Sequence, residues 1–248
     1  MSIEWMQGGL VTLFGLLFGS FLNVLILRIP KDESVVFPAS HCPKCNNDLK
    51  WWHNIPLFSW LFLGGKCAFC KDKISFQYPL IELATALLFL LAYLRNTDIT
   101  HSVIVGLVFA LLLGLSVIDF RYKAVPDSLN LAALTLAIFS SSMIVTNFVN
   151  ALLFAGGFSL LRFYISFAIK KEALGEADIM IAATIGAMVG VKMGLLTIFL
   201  SAIIALPVFV YIKEKDYEVP FIPFLALALF VVYMFRDLFN DIWVLLYG

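Results

Sequence analysis

Residues 8–27 read GGLVTLFGLLFGSFLNVLIL, twenty positions without one Asp, Glu, Lys, Arg or His. As a helix rising about 1.5 Å per residue, such a run crosses a hydrocarbon core of about 30 Å. No basic stretch precedes it and no small-residue cleavage pattern follows it, so it reads as a retained membrane helix and not as a removable signal peptide. Seven more apolar runs follow, at about 79–94, 102–118, 129–146, 150–169, 179–191, 194–212 and 221–235. The sequence therefore predicts an all-α polytopic membrane protein with about eight transmembrane helices, the sixth and eighth being short.

Composition points the same way. Of 248 residues, 62% are hydrophobic and 14% charged, against about 45–50% and 25% in soluble domains. Disordered, collagenous and disulfide-scaffold classes are excluded. Seventeen basic residues balance seventeen acidic ones, which removes the basic footprint of a nucleic-acid binder.

Where the charges fall sets the orientation. With the N-terminus outside, the inner loops hold Arg28, Lys31, Lys44, Lys50, Lys66, Lys71, Lys73, Arg121, Lys123, Lys170, Lys171, Lys213 and Lys215. The outer side holds Arg95, Lys192 and Arg236, and Arg162 falls inside the fifth run. Thirteen against three places the loop 30–78 in the cytoplasm. An even number of spans returns the C-terminus to the outside, with the mixed polar and aromatic segment after Arg236 along the outer interface.

In that loop apolar periodicity gives way to cysteines, prolines and charge, with no clear helix, as in segments held by a ligand. All four cysteines of the chain lie there, as Cys42-Pro-Lys-Cys45 and Cys67-Ala-Phe-Cys70. Two such knuckles supply four thiolates to a tetrahedral zinc, and the Asn46-Asn47 and Gly64-Gly65 pairs offer the turns it needs. A reducing cytoplasm argues against structural disulfides, and the βαβ context of a redox motif is missing. His41 and His53 flank a shell that four sulfurs already close, and are read as surface or packing residues.

Four carboxylates sit at the edges of apolar runs, where burial of a charge marks a candidate site. Glu82 opens the second span, at the positive end of its helix, and reads as supporting. Asp119 closes the third, where the helix dipole disfavours an anion, with Arg121 and Lys123 as partial offsets. Asp127, in Pro126-Asp127-Ser128-Leu129, occupies an N-cap position. Asp178 leads into Ile179-Met180-Ile181 and is either a cap or a chemical group. Two aspartates held close share one proton, so that one activates water while the other donates to a carbonyl oxygen. No GxSxG, HExxH or P-loop pattern competes with this pair. A transporter with a regulatory zinc module is the rival reading, and it expects carboxylates at mid-membrane on broken helices.

The order of Gly19-Ser20-Phe21-Leu22-Asn23-Val24, the two cysteine pairs, Asn54-Ile55-Pro56-Leu57-Phe58-Ser59-Trp60, Tyr78-Pro79-Leu80-Ile81-Glu82, Ile118-Asp119 with Pro126-Asp127, Gly175-Glu176-Ala177-Asp178 and the stretch 220–227 resembles the type IV prepilin peptidases. The resemblance implies a bacterial inner-membrane aspartic endopeptidase that removes the leader of prepilins and pseudopilins. In bifunctional members it also implies methylation of the new N-terminus with S-adenosylmethionine. It makes Asp119 and Asp178 the catalytic pair; Asp127, Glu82, Gly175 and Asn23 are read as supporting, Asn23 together with the loop in methyl transfer. It divides the chain into a first helix (1–29), a zinc-binding, methyltransferase-associated loop (30–78) and a peptidase core (79–248). Ala177 stands where the family's usual motif has glycine, which is expected to be harmless if the turn needs no left-handed residue. That departure keeps open a pilin-assembly relative that does not cut.

Overall fold

The computed structural model describes residues 3–96, 98–170, 175–211 and 220–247. Lys171, Lys213 and Lys215 of the inner charge count, and Ile212 of the seventh run, lie outside the described residues. The helices are α1 (Ile3–Arg28), α2 (Phe58–Phe62), α3 (Gln77–Asn96), α4 (Ile99–Tyr122), α5 (Asp127–Ile138), α6 (Ile144–Ile169), α7 (Glu176–Tyr211), α8 (Ile222–Met234) and α9 (Arg236–Tyr247). The loop expected to lack helix holds the five-residue α2 and 3-10 turns at Ile29–Lys31 and Trp51–Asn54.

Among the described residues, five helices (α1, α3, α4, α6 and α7) are long and apolar enough to cross a membrane. Helices α8 and α9, bent by 80°, make a sixth if counted as one span. The architecture is all-α and polytopic, but length gives five or six spans where the apolar runs give eight. Two local features account for the difference. The run 129–146 is cut because α5 stops at Ile138 and a serine-rich turn follows, where Asn147 Nδ2 donates to the Ile138 carbonyl and to Ser141 Oγ, both at 2.9 Å. The runs 179–191 and 194–212 lie in α7 as two helices that meet at a kink at Gly190 (φ 76°, ψ 178°) and count once only when α7 is taken whole; that conformation is open to glycine and strained for other residues. On either side of the break, Gly186 and Gly194 both lie against the ring of Phe154 in α6, where an added Cβ would come within 2.6 and 2.4 Å.

The chain forms two compact units, Met1–Gly106 and Leu107–Gly248, with the boundary inside α4. In the first, α1 packs along α3. Its buried positions include Gly8, Val11, Gly15, Gly19, Leu22 and Ile26, spaced by three or four residues. The glycines bring the backbones together, since a Cβ on Gly19 would meet the Glu82 Cα at 2.8 Å and one on Gly15 would meet Phe89 at 2.9 Å. Lipid tails are as apolar as leucine, so close packing of this kind is what holds membrane helices to each other. Leu10, Leu13, Phe14, Leu17 and Phe21 are left exposed on α1.

In the second unit α7 packs against α5, α6 and α8. Its residues from Ile181 to Val189 are buried without interruption and form the core. Helix α9 turns sharply from α8, as expected of a segment lying along an interface.

Candidate active site and metal centre

Asp119 sits in the last turn of α4 with its side chain buried, 8% exposed. Its own helix dipole opposes an anion there. The compensation comes from another helix. Ile222, the first residue of α8, donates its N–H to Asp119 Oδ2 at 3.3 Å. The amides and dipole of a helix N-terminus favour negative charge, and here they serve a residue far away in sequence. Arg121 and Lys123, the offsets expected from sequence, have exposed side chains.

Asp178 is the third residue of α7 and half-buried. The Gly175 N–H donates to its Oδ2 at 3.3 Å, the acid-to-cap half of a capping box. This differs from a cap formed by Asp178 itself, because the aspartate lies inside the helix and reaches back to the residue that precedes it. Ala177 is helical and absent from the positive-φ positions, so its methyl group meets no conformational penalty. Beside it Glu176 pairs with Arg162 of α6 at 3.2 Å. Asp119, in the last turn of α4, and Asp178, in the first turn of α7, both belong to the second unit. Two carboxylates from separate helices are thus each held by a helix-terminal amide within that unit.

Asp127 corrects the sequence reading. It is the first helical residue of α5, the cap position falls to Pro126, and no side-chain capping bond forms. Its side chain is exposed, in a first turn whose dipole still favours an acid. One residue that sequence reasoning missed is Asn130, fully buried, whose Nδ2 donates to the Ala177 carbonyl at 3.1 Å. The signal available was a lone amide on the apolar stripe of a short helix.

The four cysteines converge in the first unit. Each pair sits on a small hairpin of the same build. Cys42 N–H donates to the Asn47 carbonyl and Cys67 N–H to the Asp72 carbonyl, and the residue after each second cysteine, Asn46 or Lys71, has positive φ. The Lys44–Asp72 ion pair at 2.8 Å ties the hairpins together. All four sulfurs lie within 4.8 Å of one another, and those of Cys42 and Cys70 are 3.8 Å apart. Zinc–sulfur bonds of about 2.3 Å give a tetrahedron with edges of about 3.8 Å. The Cys70 and Phe69 amides hold the Cys67 thiol down to about 6. Despite the Asp72 amide, which draws it down, burial and the neighbouring thiols push Cys70 up to about 11. Four thiolates together need a cation, and the donor set fits a metal such as zinc. Neither histidine belongs to the group: His41 Nδ1 lies 3.1 Å from the Ala39 carbonyl, and the His53 ring packs against Trp52 and Phe69.

Comparison with known proteins covers both units. Residues 13–96 match the bacterial peptidase A24 N-terminal domain, and residues 104–210 match the type IV leader peptidase family. The prepilin leader peptidase/N-methyltransferase of Pseudomonas aeruginosa is 32% identical over 259 residues, covering 91% of this chain and 89% of that one. The protein of the same description from Neisseria gonorrhoeae is 34% identical over 261 residues, 92% of this chain and 90% of that one.

The chain belongs to the type IV leader peptidase family.

A further member, from Myxococcus xanthus, is 40% identical over 179 residues, 70% of this chain. This chain spans about half of that protein, 53% of its length. No solved structure matches. Its long apolar helices and bacterial relatives make this leader-peptidase chain a multi-pass protein of the inner membrane.

Two residues of this family member that were read as supporting sit in the first unit. Asn23 is buried and donates Nδ2 to the Gly19 and Tyr78 carbonyls, both at 3.2 Å, while its Oδ1 accepts from Gln77 Nε2 at 3.4 Å. It fastens α1 to the start of α3. Glu82 lies one turn deeper in α3 than its sequence placement, because the helix begins at Gln77. Its Oε2 accepts the Leu57 N–H at 2.7 Å. Leu57 has φ 61° and ψ −51°, a strained conformation for a branched residue. Glu82 therefore anchors the turn into α2 and not the start of its own helix.

Proposed function

We propose that the chain cuts the leader from type IV prepilins and pseudopilins at the cytoplasmic face of the inner membrane, and methylates the amine it exposes. The observation that carries the reading is that Asp119 and Asp178, from α4 and α7, each accept a bond from a helix-terminal amide within one unit of a leader-peptidase-family protein. One aspartate of the pair is ionised and takes a proton from water as the oxygen attacks the scissile carbonyl. The other, protonated, gives its proton to the carbonyl oxygen. Collapse of the tetrahedral intermediate breaks the C–N bond, and the departing amine takes up a proton from the pair. The Ile222 and Gly175 amides keep both carboxylates oriented before substrate arrives. A cavity of about 460 Å³, lined by Ser159, Arg162, Phe163, Ser166 and Phe167 of α6 and by Ile179 beside Asp178, gives an apolar substrate segment a place to lie.

The four sulfurs hold a structural zinc that orders the loop 30–78, the part assigned to methyl transfer, while 79–248 is the peptidase core and 1–29 the first span. S-adenosylmethionine, when bound, supplies an electrophilic methyl group. The aromatic faces of Trp52, His53 and Phe58 around a cavity of about 360 Å³ in the loop suit an adenine ring and a sulfonium. Eight spans with the N-terminus outside fit the charge count, and the Gly190 break supports dividing α7 in two.

The test is mass spectrometry of a synthetic prepilin incubated with purified protein in lipid nanodiscs. The expected product lacks the leader, and with S-adenosylmethionine it gains one methyl group. A substrate that stays whole under both conditions overturns the reading.

A further inference from the structure

Helix α5 turns Leu129, Asn130, Ala133 and Ala137 inward as it packs against α7. Three of these are apolar, as packing inside a membrane protein requires. Asn130 is the exception, with no exposed surface at all. Its amide makes one described hydrogen bond, Nδ2 to the Ala177 carbonyl at 3.1 Å. Because the acceptor is a carbonyl, the amide has only one sensible orientation, with NH2 toward Ala177. Oδ1 then faces the other way, buried and without a partner among the described residues.

A buried acceptor left unpaired is destabilising, and a leucine of similar size would avoid it. Packing alone does not account for an asparagine here. What it adds is a donor to the residue immediately before Asp178. Of the other contacts at this end, the Asp178 carboxylate on the Gly175 N–H lies within the same segment, and the pair to Arg162 of α6 hangs on a solvent-exposed Glu176, so neither fixes the segment firmly against the rest of the unit. The Asn130 bond does so from a different helix.

We propose that Asn130 is a positioning residue, which locks the first turn of α7 to α5 and thereby sets the placement of the Asp178 carboxylate relative to Asp119. The inference rests on the peptidase reading for its consequence in catalysis, but its structural content stands apart. Asn130 touches neither the substrate nor the reacting atoms, and acts through the Ala177 carbonyl.

Two substitutions test it in the full-length protein in nanodiscs. Asn130→Leu keeps the volume and removes the donor. It should increase amide hydrogen exchange across residues 175–182 while leaving α6 unchanged. It should lower kcat for prepilin cleavage by about ten- to a hundredfold, the range expected of a displaced reacting group, with KM held within about twofold. Asn130→Asp offers a donor only while its carboxyl is protonated. Its kcat should approach that of the wild type at acid pH and fall as pH rises, a limb that the Asn130→Leu variant lacks. Unchanged exchange in 175–182 for Asn130→Leu, or a kcat within twofold of wild type, overturns the proposal. Equal loss in both variants at every pH, with lowered melting temperature, also overturns it, by reducing Asn130 to a packing residue. If the wild type itself leaves prepilin whole, the peptidase reading fails while the exchange experiment still decides the role of Asn130.

Discussion

The two candidate centres are built in opposite ways. The four sulfurs come from one stretch of about thirty residues, on two hairpins whose backbone bonds repeat almost residue for residue. The two aspartates come from the far end of α4 and the start of α7, and each leans on an amide at the start of a helix. A centre made of local turns brings its own geometry. One made of helix ends depends on how long elements pack, so its precision is borrowed from α5, α7 and α8.

The sharpest way to break this contrast is at the carboxylates. Asp119→Asn and Asp178→Asn should each lower cleavage by about a thousandfold or more, and the double variant should be little worse, as expected for groups that act as a unit. Quantitative cleavage assays check this, and substantial activity in either single variant removes that residue from the chemistry. Next in size is Cys67→Ser, which should take metal content from about one zinc per chain to none, by elemental analysis. It should abolish methyl transfer while cleavage persists. If cleavage collapses as well, the two centres are not separable.

Glu82→Leu is a smaller perturbation. Leaving the Leu57 amide without its acceptor should cost about 1–3 kcal/mol and admit protease to the turn into α2, whereas Glu82→Gln keeps an acceptor and should do neither. Limited proteolysis with thermal unfolding distinguishes them. The smallest effect is expected of Asp127→Asn, an exposed first-turn acid whose dipole interaction is worth about 0.3–1 kcal/mol. Cleavage should be close to normal, and a loss matching that of Asp119→Asn would make Asp127 one of the reacting pair.

The same contrast governs what could be read beforehand. Spacing alone marks Cys42, Cys45, Cys67 and Cys70 as one group, because two-residue gaps and turn residues are local statements. Asp119 and Asp178 stand out only as charges beside apolar runs, and their pairing came from resemblance, since nothing in either segment encodes the other. The Ile222 amide is invisible for the same reason, and Asn130 shows only as a lone amide on an apolar stripe. A backbone donor has no sequence signature, and an asparagine in an apolar helix shows its partner only when the helix is packed. The span count turns on Gly190 and on the short turn between Ile138 and Ile144, local features at which a helix either continues or breaks. The Asp127 cap failed by a single residue, because Pro126 took the cap position.

Both described hydrogen bonds to the aspartate pair come from peptide groups. A peptide dipole orients an oxygen but carries no net charge, so it does not neutralise a carboxylate as a lysine or arginine would. The negative potential of the pair therefore extends into the surrounding water, over about 8–10 Å at physiological ionic strength. A polypeptide with a basic end is attracted before it makes any contact, and dissolved salt weakens that attraction. On the proposed function, the ionic medium therefore takes part in the encounter with a basic leader.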